Sequence, residues 1–144
     1  MQTVLIAHRD PAYAEQLASD LRQAGFRVID CGGPWPPRER CIRCDRGYCP
    51  LTESADLMIY DARLTALDEY GTRYNLAVDS ARAHPEVPLL VDWSPEGQPD
   101  PNLVRELKEA APNVHAAVRE RAALVEEVKK LLAAQTSPGR NAGR

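Results

Sequence analysis

Long hydrophobic runs are absent from this 144-residue sequence. The apolar stretch at residues 4–7 is too short to cross a membrane, and the basic leader and small-residue cleavage site of a signal peptide are missing. The formal net charge is only -3, which gives no general reason to expect a nucleic-acid partner. We therefore predict a cytoplasmic protein that binds neither membranes nor nucleic acid.

The common signatures of catalysis are also missing. The sequence contains no evident nucleophile paired with a base, no metal-ligand pair at helical spacing and no glycine loop of the phosphate-binding kind. Gly32 and Gly33 are followed by Pro34, so they indicate a turn and not the start of a helix at which phosphate binds. An enzyme is therefore the least favoured functional class.

Cysteine occurs only between positions 31 and 49, in the spacing C-x9-C-x2-C-x4-C. The chain is 44% hydrophobic and 27% charged, a balance with which one domain of this length can bury its own core without disulfides. In a reducing compartment, four closely spaced cysteines favour metal ligands or redox groups over a disulfide framework.

Apolar strands alternate with amphipathic helices along the chain. Strands apolar on both faces are typical of a parallel sheet covered by helices on both sides. We predict a doubly wound α/β domain over residues 1–134 and a disordered tail at residues 135–144. The predicted strands lie at residues 4–7, 26–30, 56–61, 87–93 and 114–118. The predicted helices lie at 10–25, 72–84 and 102–111, and a last helix contains the apolar stripe from Leu124 to Leu132.

Details of three helices follow from residue spacing. Asp10 is a plausible N-cap of the first helix, with Pro11 at the first helical position. Buried stripes are predicted for the first helix (Ala14, Leu17, Ala18 and Leu21), the second (Tyr74, Ala77 and Ala81) and the last (Leu124, Val125, Val128, Leu131 and Leu132).

Three stretches resemble, in order and interval, the receiver domain of bacterial two-component response regulators. "VLIAHRDP" resembles the family's first strand and acidic pocket, "ADLMIYD" its third strand ending in the phosphoacceptor aspartate, and "VPLLVDWS" its fourth strand. The resemblance covers about residues 3–133 and implies a flavodoxin-like sheet of five parallel strands. It places Asp61 at the phosphoacceptor position.

The resemblance implies phosphoryl transfer to that aspartate, with magnesium held by neighbouring carboxylates. His8 and Arg9 stand where the acidic pair is expected, which leaves Asp10 as a displaced carboxylate, and a guanidinium cannot ligate magnesium. We predict that Asp61 is a structural carboxylate paired with Arg9 or Arg119; the alternative is a phosphoacceptor in an altered pocket.

Other family positions differ as well. Trp93 stands where a hydroxyl residue is expected, although a shift of one residue would place Ser94 there. The expected lysine is replaced by Arg119 or Arg121, and arginine differs from lysine in shape and reach. His8 is expected to be a hydrogen-bonding structural group, with a role as base or ligand as the alternative. The chain therefore looks like a pseudo-receiver.

The resemblance also implies a second helix between the second and third strands, an interval that corresponds here to residues 31–55. Glycines and prolines at its start disfavour a regular helix, so we predict that a Cys-rich loop, residues 31–50, replaces that helix. A long loop without a packed face is costly to order, and a bound metal ion would order it.

The cysteines have the arrangement of a metal site. "CIRCDRG" has the C-x2-C-x2-G form of a metal knuckle with Cys41 and Cys44, and Cys31 and Cys49 can complete four thiolate ligands. We predict bound Zn²⁺. The alternatives are a 4Fe–4S cluster, and a thiol-redox or metal-free loop.

These features predict a signalling protein. Because no effector domain follows Leu132, we expect a stand-alone receiver-like module that acts by binding another protein. The rival class is an iron–sulfur or thiol-based redox or metal sensor. Trp35 and Tyr48 are expected to pack over the sheet or the metal, with a role as partner-binding anchors as the alternative.

A homodimer is expected through residues 102–132. Its two helices carry apolar residues, and those in excess of what covers the sheet would be available to a second copy. The alternative is that all of them belong to the core.

Overall fold

A computed structural model describes residues 1–33, 41, 46, 48–93, 100–110, 114–115 and 120–135. Its elements run in the order β1 (Thr3–Ala7), α1 (Pro11–Gln23), β2 (Arg27–Cys31), α2 (Pro50–Glu53), β3 (Leu57–Asp61), β4 (Thr65–Leu67), β5 (Arg73–Asn75), α3 (Leu76–Ala83), β6 (Leu89–Asp92), α4 (Pro101–Ala110), β7 (Val114–His115) and α5 (Arg121–Gln135).

A parallel sheet in the order β2-β1-β3-β6-β7 forms the centre of the molecule. β1 pairs with both β2 and β3, and β6 joins β3 to β7, all in parallel. The order reverses beside β1, as in doubly wound folds whose sites lie at the carboxyl ends of the strands. The predicted flavodoxin-like fold class is confirmed.

Each strand of the sheet buries both faces. Leu5 and Ala7 contribute to a core cluster under α3 and α4, whereas Val4 and Ile6 contribute to a second cluster under α1 and α5. Successive side chains of a strand point to opposite faces, so these strands must be apolar at every position to line two cores.

Helix α1 matches its predicted form. Asp10 is the N-cap, and its side chain accepts hydrogen bonds from the backbone N–H groups of Ala12 and Tyr13. The buried residues of α1 are the predicted Ala14, Leu17, Ala18 and Leu21.

Helix α5 runs one residue further than predicted. It includes Gln135, which is buried although the sequence places the start of the tail there. The residues after Gln135 lie outside the described part of the chain, so the disordered tail stays a prediction. Of the predicted stripe, Leu131 is half-buried and the rest is buried. No helix in the described ranges is long and apolar enough to span a membrane.

An antiparallel hairpin replaces the predicted start of α3. β4 and β5 pair with each other, and Tyr74, which was predicted to lie on the helix, belongs to β5. The helix begins only after Asn75, because the Asn75 side chain caps it by accepting a hydrogen bond from the backbone N–H of Val78. Gly71 supplies the positive φ of the hairpin turn.

The interval between β2 and β3 contains one short described helix. α2 begins directly after Cys49 and spans Pro50–Glu53. Residues 34–40, 42–45 and 47 lie outside the described ranges. The replacement of a full second helix by a Cys-rich loop therefore stays a prediction.

Candidate functional site

Three strand ends converge on Asp61. It is the last residue of β3, it is fully buried, and it lies in register with Asp92 at the end of β6. On the other side, Ala7 of β1 lies in register with Tyr60 of β3, so the chain leaves β1 beside Asp61. This edge is where ligands bind in open parallel sheets.

Two arginines occupy both oxygens of the Asp61 carboxylate. Arg9 donates its backbone N–H and its Nε to Oδ2, at 3.2 and 3.0 Å. Arg63 donates its backbone N–H and its Nε to Oδ1, at 2.9 and 3.2 Å. The four donors hold the carboxylate as an anion in a closed hydrogen-bond network.

Arg63 is the member of this network that the sequence did not predict. Its backbone N–H bonds the aspartate two residues earlier, which is the geometry of an Asx turn. The signal available in the sequence was an arginine two positions after a strand-ending aspartate, as in Asp61-Ala62-Arg63. Pairing of Asp61 with Arg9, one of the two predicted arginines, is present.

The pKa of Asp61 lies below its ordinary value. Burial alone would raise it, because the ionised form loses hydration. Four interactions together outweigh burial and lower the pKa. They are the hydrogen bond from the Arg63 backbone, the charge of His8, the hydrogen bond from the Arg9 backbone and the charge of the Arg63 guanidinium. Asp61 is therefore a carboxylate at neutral pH.

His8 lies buried between the two aspartates. Its Nδ1 accepts a hydrogen bond from the backbone N–H of Asp10 at 3.0 Å and is 3.5 Å from Oδ2 of Asp61. Its Nε2 is 3.7 Å from Oδ2 of Asp92. One ring nitrogen therefore faces each of the two carboxylates. His8 is thus part of the carboxylate network.

The pocket does not fit a magnesium ion at Asp61. Asp10, the displaced carboxylate of the sequence interpretation, caps α1 through its Oδ1. Arg9 lies where the resemblance expects a ligand, and its guanidinium is bonded to Asp61. Asp61 itself accepts four hydrogen bonds from the arginines, which leaves little capacity for a cation.

The other predicted pocket residues take different places. Trp93 is buried in the core cluster that contains Leu107. Arg121 pairs with Asp20 of α1 at 2.7 Å and so makes its ion pair away from Asp61. Ser94 and Arg119 lie outside the described residues, and their predicted roles stay predictions.

Three of the four cysteines belong to the described chain. Cys31 ends β2 and is half-buried, as is Cys41, whereas Cys49 is buried beside the start of α2. The Sγ of Cys31 accepts a hydrogen bond from the backbone N–H of Gly33 at 3.4 Å. Cys44 lies outside the described residues.

The pKa of the Cys31 thiol is raised. Burial is the largest cause; the hydrogen bond from Gly33 opposes it, and the negative charges of Cys41, Cys49 and Asp30 raise the pKa further. The Cys31 thiol is thus close enough to Cys41 and Cys49 to be affected by both. Among the residues that the structure describes, no group of three or more His, Cys, Asp or Glu side chains is placed to hold a metal ion.

The cysteine segment leaves the sheet beside the Asp61 pocket. Cys31 lies in register with Ala7, the residue before His8. The ends of β2, β1 and β3 therefore bring the first cysteine, His8 and Asp61 to the same edge of the sheet.

No protein-family model and no curated protein matches the sequence. Solved structures match over nearly the whole chain. A CheY-like response regulator receiver domain protein of Methanospirillum hungatei JF-1 is 15% identical at a TM-score of 0.65, with 96% of this chain and 99% of that chain covered. A two-component response regulator of Clostridium difficile is 15% identical at a TM-score of 0.62, with coverages of 95% and 100%.

A third similar structure is the signal receiver domain of a signal transduction histidine kinase from Syntrophus aciditrophicus. It is 20% identical at a TM-score of 0.60, and the match covers 95% of this chain and 94% of that chain. The central sheet, the flanking helices and the extent of these matches together lead to one conclusion: the chain has the fold of CheY-like response regulator receiver domains.

Proposed function

We propose that this chain is an atypical receiver-like signalling module that binds another protein and transfers no phosphoryl group to Asp61. The observation that carries the proposal is the closure of both Asp61 oxygens by Arg9 and Arg63. The module would present a binding surface that does not depend on phosphorylation, and Asp61 would serve as a structural anion.

The chemistry of phosphoryl transfer supports this proposal. A carboxylate that attacks phosphorus needs a free oxygen in line with the leaving group, and a metal ion to neutralise the developing charge. Here, freeing Oδ2 means breaking two hydrogen bonds from Arg9, and charge-assisted bonds contribute about 1.5–3 kcal/mol each. Two guanidinium groups supply positive charge, but they do so as donors to the nucleophile itself.

The proposal includes the remaining sequence predictions. The protein would be a non-enzymatic cytoplasmic module of residues 1–134, with a protein partner and neither a membrane nor a nucleic-acid target. The alternative is a redox or metal sensor in which the cysteines of residues 31–50 detect the signal. It differs from the main proposal mainly in what these cysteines bind.

A structural Zn²⁺ held by Cys31, Cys41, Cys44 and Cys49 is part of the same proposal. Its support is the knuckle spacing in the sequence. Thiolates gathered without a nearby cation repel one another, and a bound Zn²⁺ would offset that repulsion. Elemental analysis separates zinc from iron and from a metal-free loop.

The homodimer through residues 102–132 gains little support from packing. Leu103 and Val104 pack against the core below α4, and Leu107 is buried within it. On α5, Leu124 and Leu132 are fully buried. The described part of this face thus has few apolar side chains to spare for a partner.

Incubation with acetyl phosphate and magnesium, followed by intact-mass measurement, tests the proposed function. We expect no mass increase in the wild type, and Asp61→Asn serves as the control for labelling elsewhere. A substantial phosphorylated fraction that disappears in Asp61→Asn would show that the pocket still works as a phosphoacceptor.

A further inference from the structure

One tyrosine is fully presented to solvent. Tyr70, at the tip of the β4–β5 hairpin, is 84% exposed. The other exposed large hydrophobic residues in the described ranges are Met1, at the terminus, and Tyr48, next to residues outside those ranges. Tyr70 is therefore the one that lies in a turn whose flanking residues are all described.

The hairpin tip holds Tyr70 in a defined position. Oδ1 of Asp68 accepts hydrogen bonds from the backbone N–H groups of Tyr70 and Thr72, at 2.9 and 2.8 Å. The backbone closes the same turn, with Asp68 N–H donating to Thr72 and Gly71 N–H donating to Asp68. An aromatic side chain on an ordered turn loses little further entropy on binding, which is the usual condition of an interface anchor.

An open cleft of about 820 Å³ lies beside this hairpin. It runs between β5, α3 and α4. Half-buried Tyr74 provides an aromatic ring, Val78 is almost completely buried, and charges of both signs line the rest, with Asp68, Asp79 and Glu106 beside Arg73 and Arg82. The protruding side chain and the cleft thus lie together at the β4–β5 hairpin.

We infer that two copies of this chain pair through this face, with Tyr70 of each copy in the cleft of the other. The ring of Tyr70 would pack on Tyr74 of the second copy, and its hydroxyl would donate a hydrogen bond to Glu106. Glu69, exposed next to Tyr70, would pair with Arg82 of the second copy.

Two-fold symmetry favours a second copy of this chain as the molecule that fills the cleft. A protrusion and a cavity on the same face of one chain are both satisfied when that face meets its own copy, because an isologous interface repeats each contact twice. The opposite charges of Glu69 and Arg82 fix the register of the pair. A different protein would have to carry both complementary features on its own surface.

The hairpin is joined directly to the Asp61 network. Asn75 donates its side-chain N–H to the carbonyl of Ala62 at 2.8 Å, and Leu76 donates its backbone N–H to the carbonyl of Leu64 at 3.0 Å. Arg63, between these acceptors, bonds Asp61. The interface therefore belongs to the segment that closes the pocket, although its formation does not depend on whether Asp61 accepts phosphate.

Sedimentation equilibrium over a concentration series extending to high micromolar protein tests the pairing. The wild type is expected to be a reversible dimer, and Tyr70→Ser is expected to weaken association by about 30-fold or more, as for an aromatic anchor. At concentrations low enough for both proteins to be monomeric, circular dichroism and the thermal midpoint should be unchanged in Tyr70→Ser, because the side chain is exposed in the monomer. A wild-type protein that is monomeric at every concentration overturns the inference, as does a dimer that Tyr70→Ser leaves unaltered.

Charge reversal tests the register. Glu69→Arg and Arg82→Glu should each weaken the dimer, and the double variant should recover most of the lost affinity. Lys130→Glu, an exposed position on α5 within the range 102–132, is the matched control and should leave association unchanged. Failure of the double variant to recover affinity would rule out this register, and loss of the dimer in Lys130→Glu would point to the α5 face instead.

Discussion

Ser80 of α3 donates a hydrogen bond of 2.7 Å to the hydroxyl of Tyr60 in β3. Both residues are buried, Ser80 completely. The bond ties α3 to the strand that ends in Asp61, one residue before that aspartate.

Tyr60→Phe removes the acceptor of this bond without changing the shape of the ring. We expect the free energy of unfolding to fall by about 0.5–1.5 kcal/mol, the net contribution of a typical buried hydrogen bond. Urea unfolding measures the change. Tyr48→Phe, at an exposed tyrosine outside the sheet, is the control and should have no measurable effect on stability.

Asp61→Asn should destabilise the fold and flatten its response to acid. Removing one partner of a buried ion pair costs a few kcal/mol, and because both guanidiniums reach solvent we expect roughly 2–3 kcal/mol at neutral pH. Since the folded-state pKa of Asp61 is lowered from 3.8, its ionised form contributes stability above that value, and the contribution disappears as pH falls through the folded pKa.

The measurement for Asp61 is urea unfolding of both proteins at several pH values. The difference in stability between wild type and Asp61→Asn should shrink as the pH is lowered below about 4. A difference that stays constant down to strongly acidic pH would contradict a lowered pKa at this position.

Asp10→Ala should lower stability by about 1 kcal/mol, since it deletes the N-cap of α1. Asp10→Asn keeps a capping oxygen and should retain most of the stability. If both variants were equally destabilised, the charge of Asp10 and not its capping bond would be the important property. Thermal unfolding of the three proteins in parallel distinguishes these cases.

Cys44→Ser should release the proposed zinc and lower the thermal midpoint, because the ligand set would be left with three thiolates. Elemental analysis by mass spectrometry gives the metal content per chain. Arg43→Ser, at the neighbouring position, controls for a general effect of substitution in this segment and should keep the metal. Stoichiometric metal in Cys44→Ser would contradict the four-cysteine assignment.

Most of the architecture could be predicted because it depends on spacing of apolar residues. The stripe of α1 and the fully apolar strands such as β1 and β3 record which faces are buried, and burial dominates folding energetics. The N-cap at Asp10 could be predicted for a different reason: capping depends only on residues that are neighbours in sequence.

The hairpin and the arginine network depend on contacts that spacing does not encode. β4 and β5 are short, and their pairing is fixed by the turn at Asp68 and by the Asn75 side chain. The sequence pattern of this segment therefore predicts a polar loop followed by a helix. In the sequence, nothing distinguishes Arg63 from a surface arginine. Only the Asx turn at Asp61 brings its guanidinium back onto the carboxylate.

Arg9 and Arg63 bond different oxygens of Asp61, and this determines how many substitutions would be needed to make Asp61 a working phosphoacceptor. Arg9 bonds only one oxygen of Asp61 and Arg63 bonds the other, each through its side chain and its own backbone N–H. Replacing one arginine leaves the second guanidinium in place, and supplies no ligand for magnesium unless the new residue is acidic. A route back to phosphoryl transfer therefore needs coordinated changes at two positions, because a single substitution leaves the buried carboxylate with one guanidinium and three of its four hydrogen-bond donors.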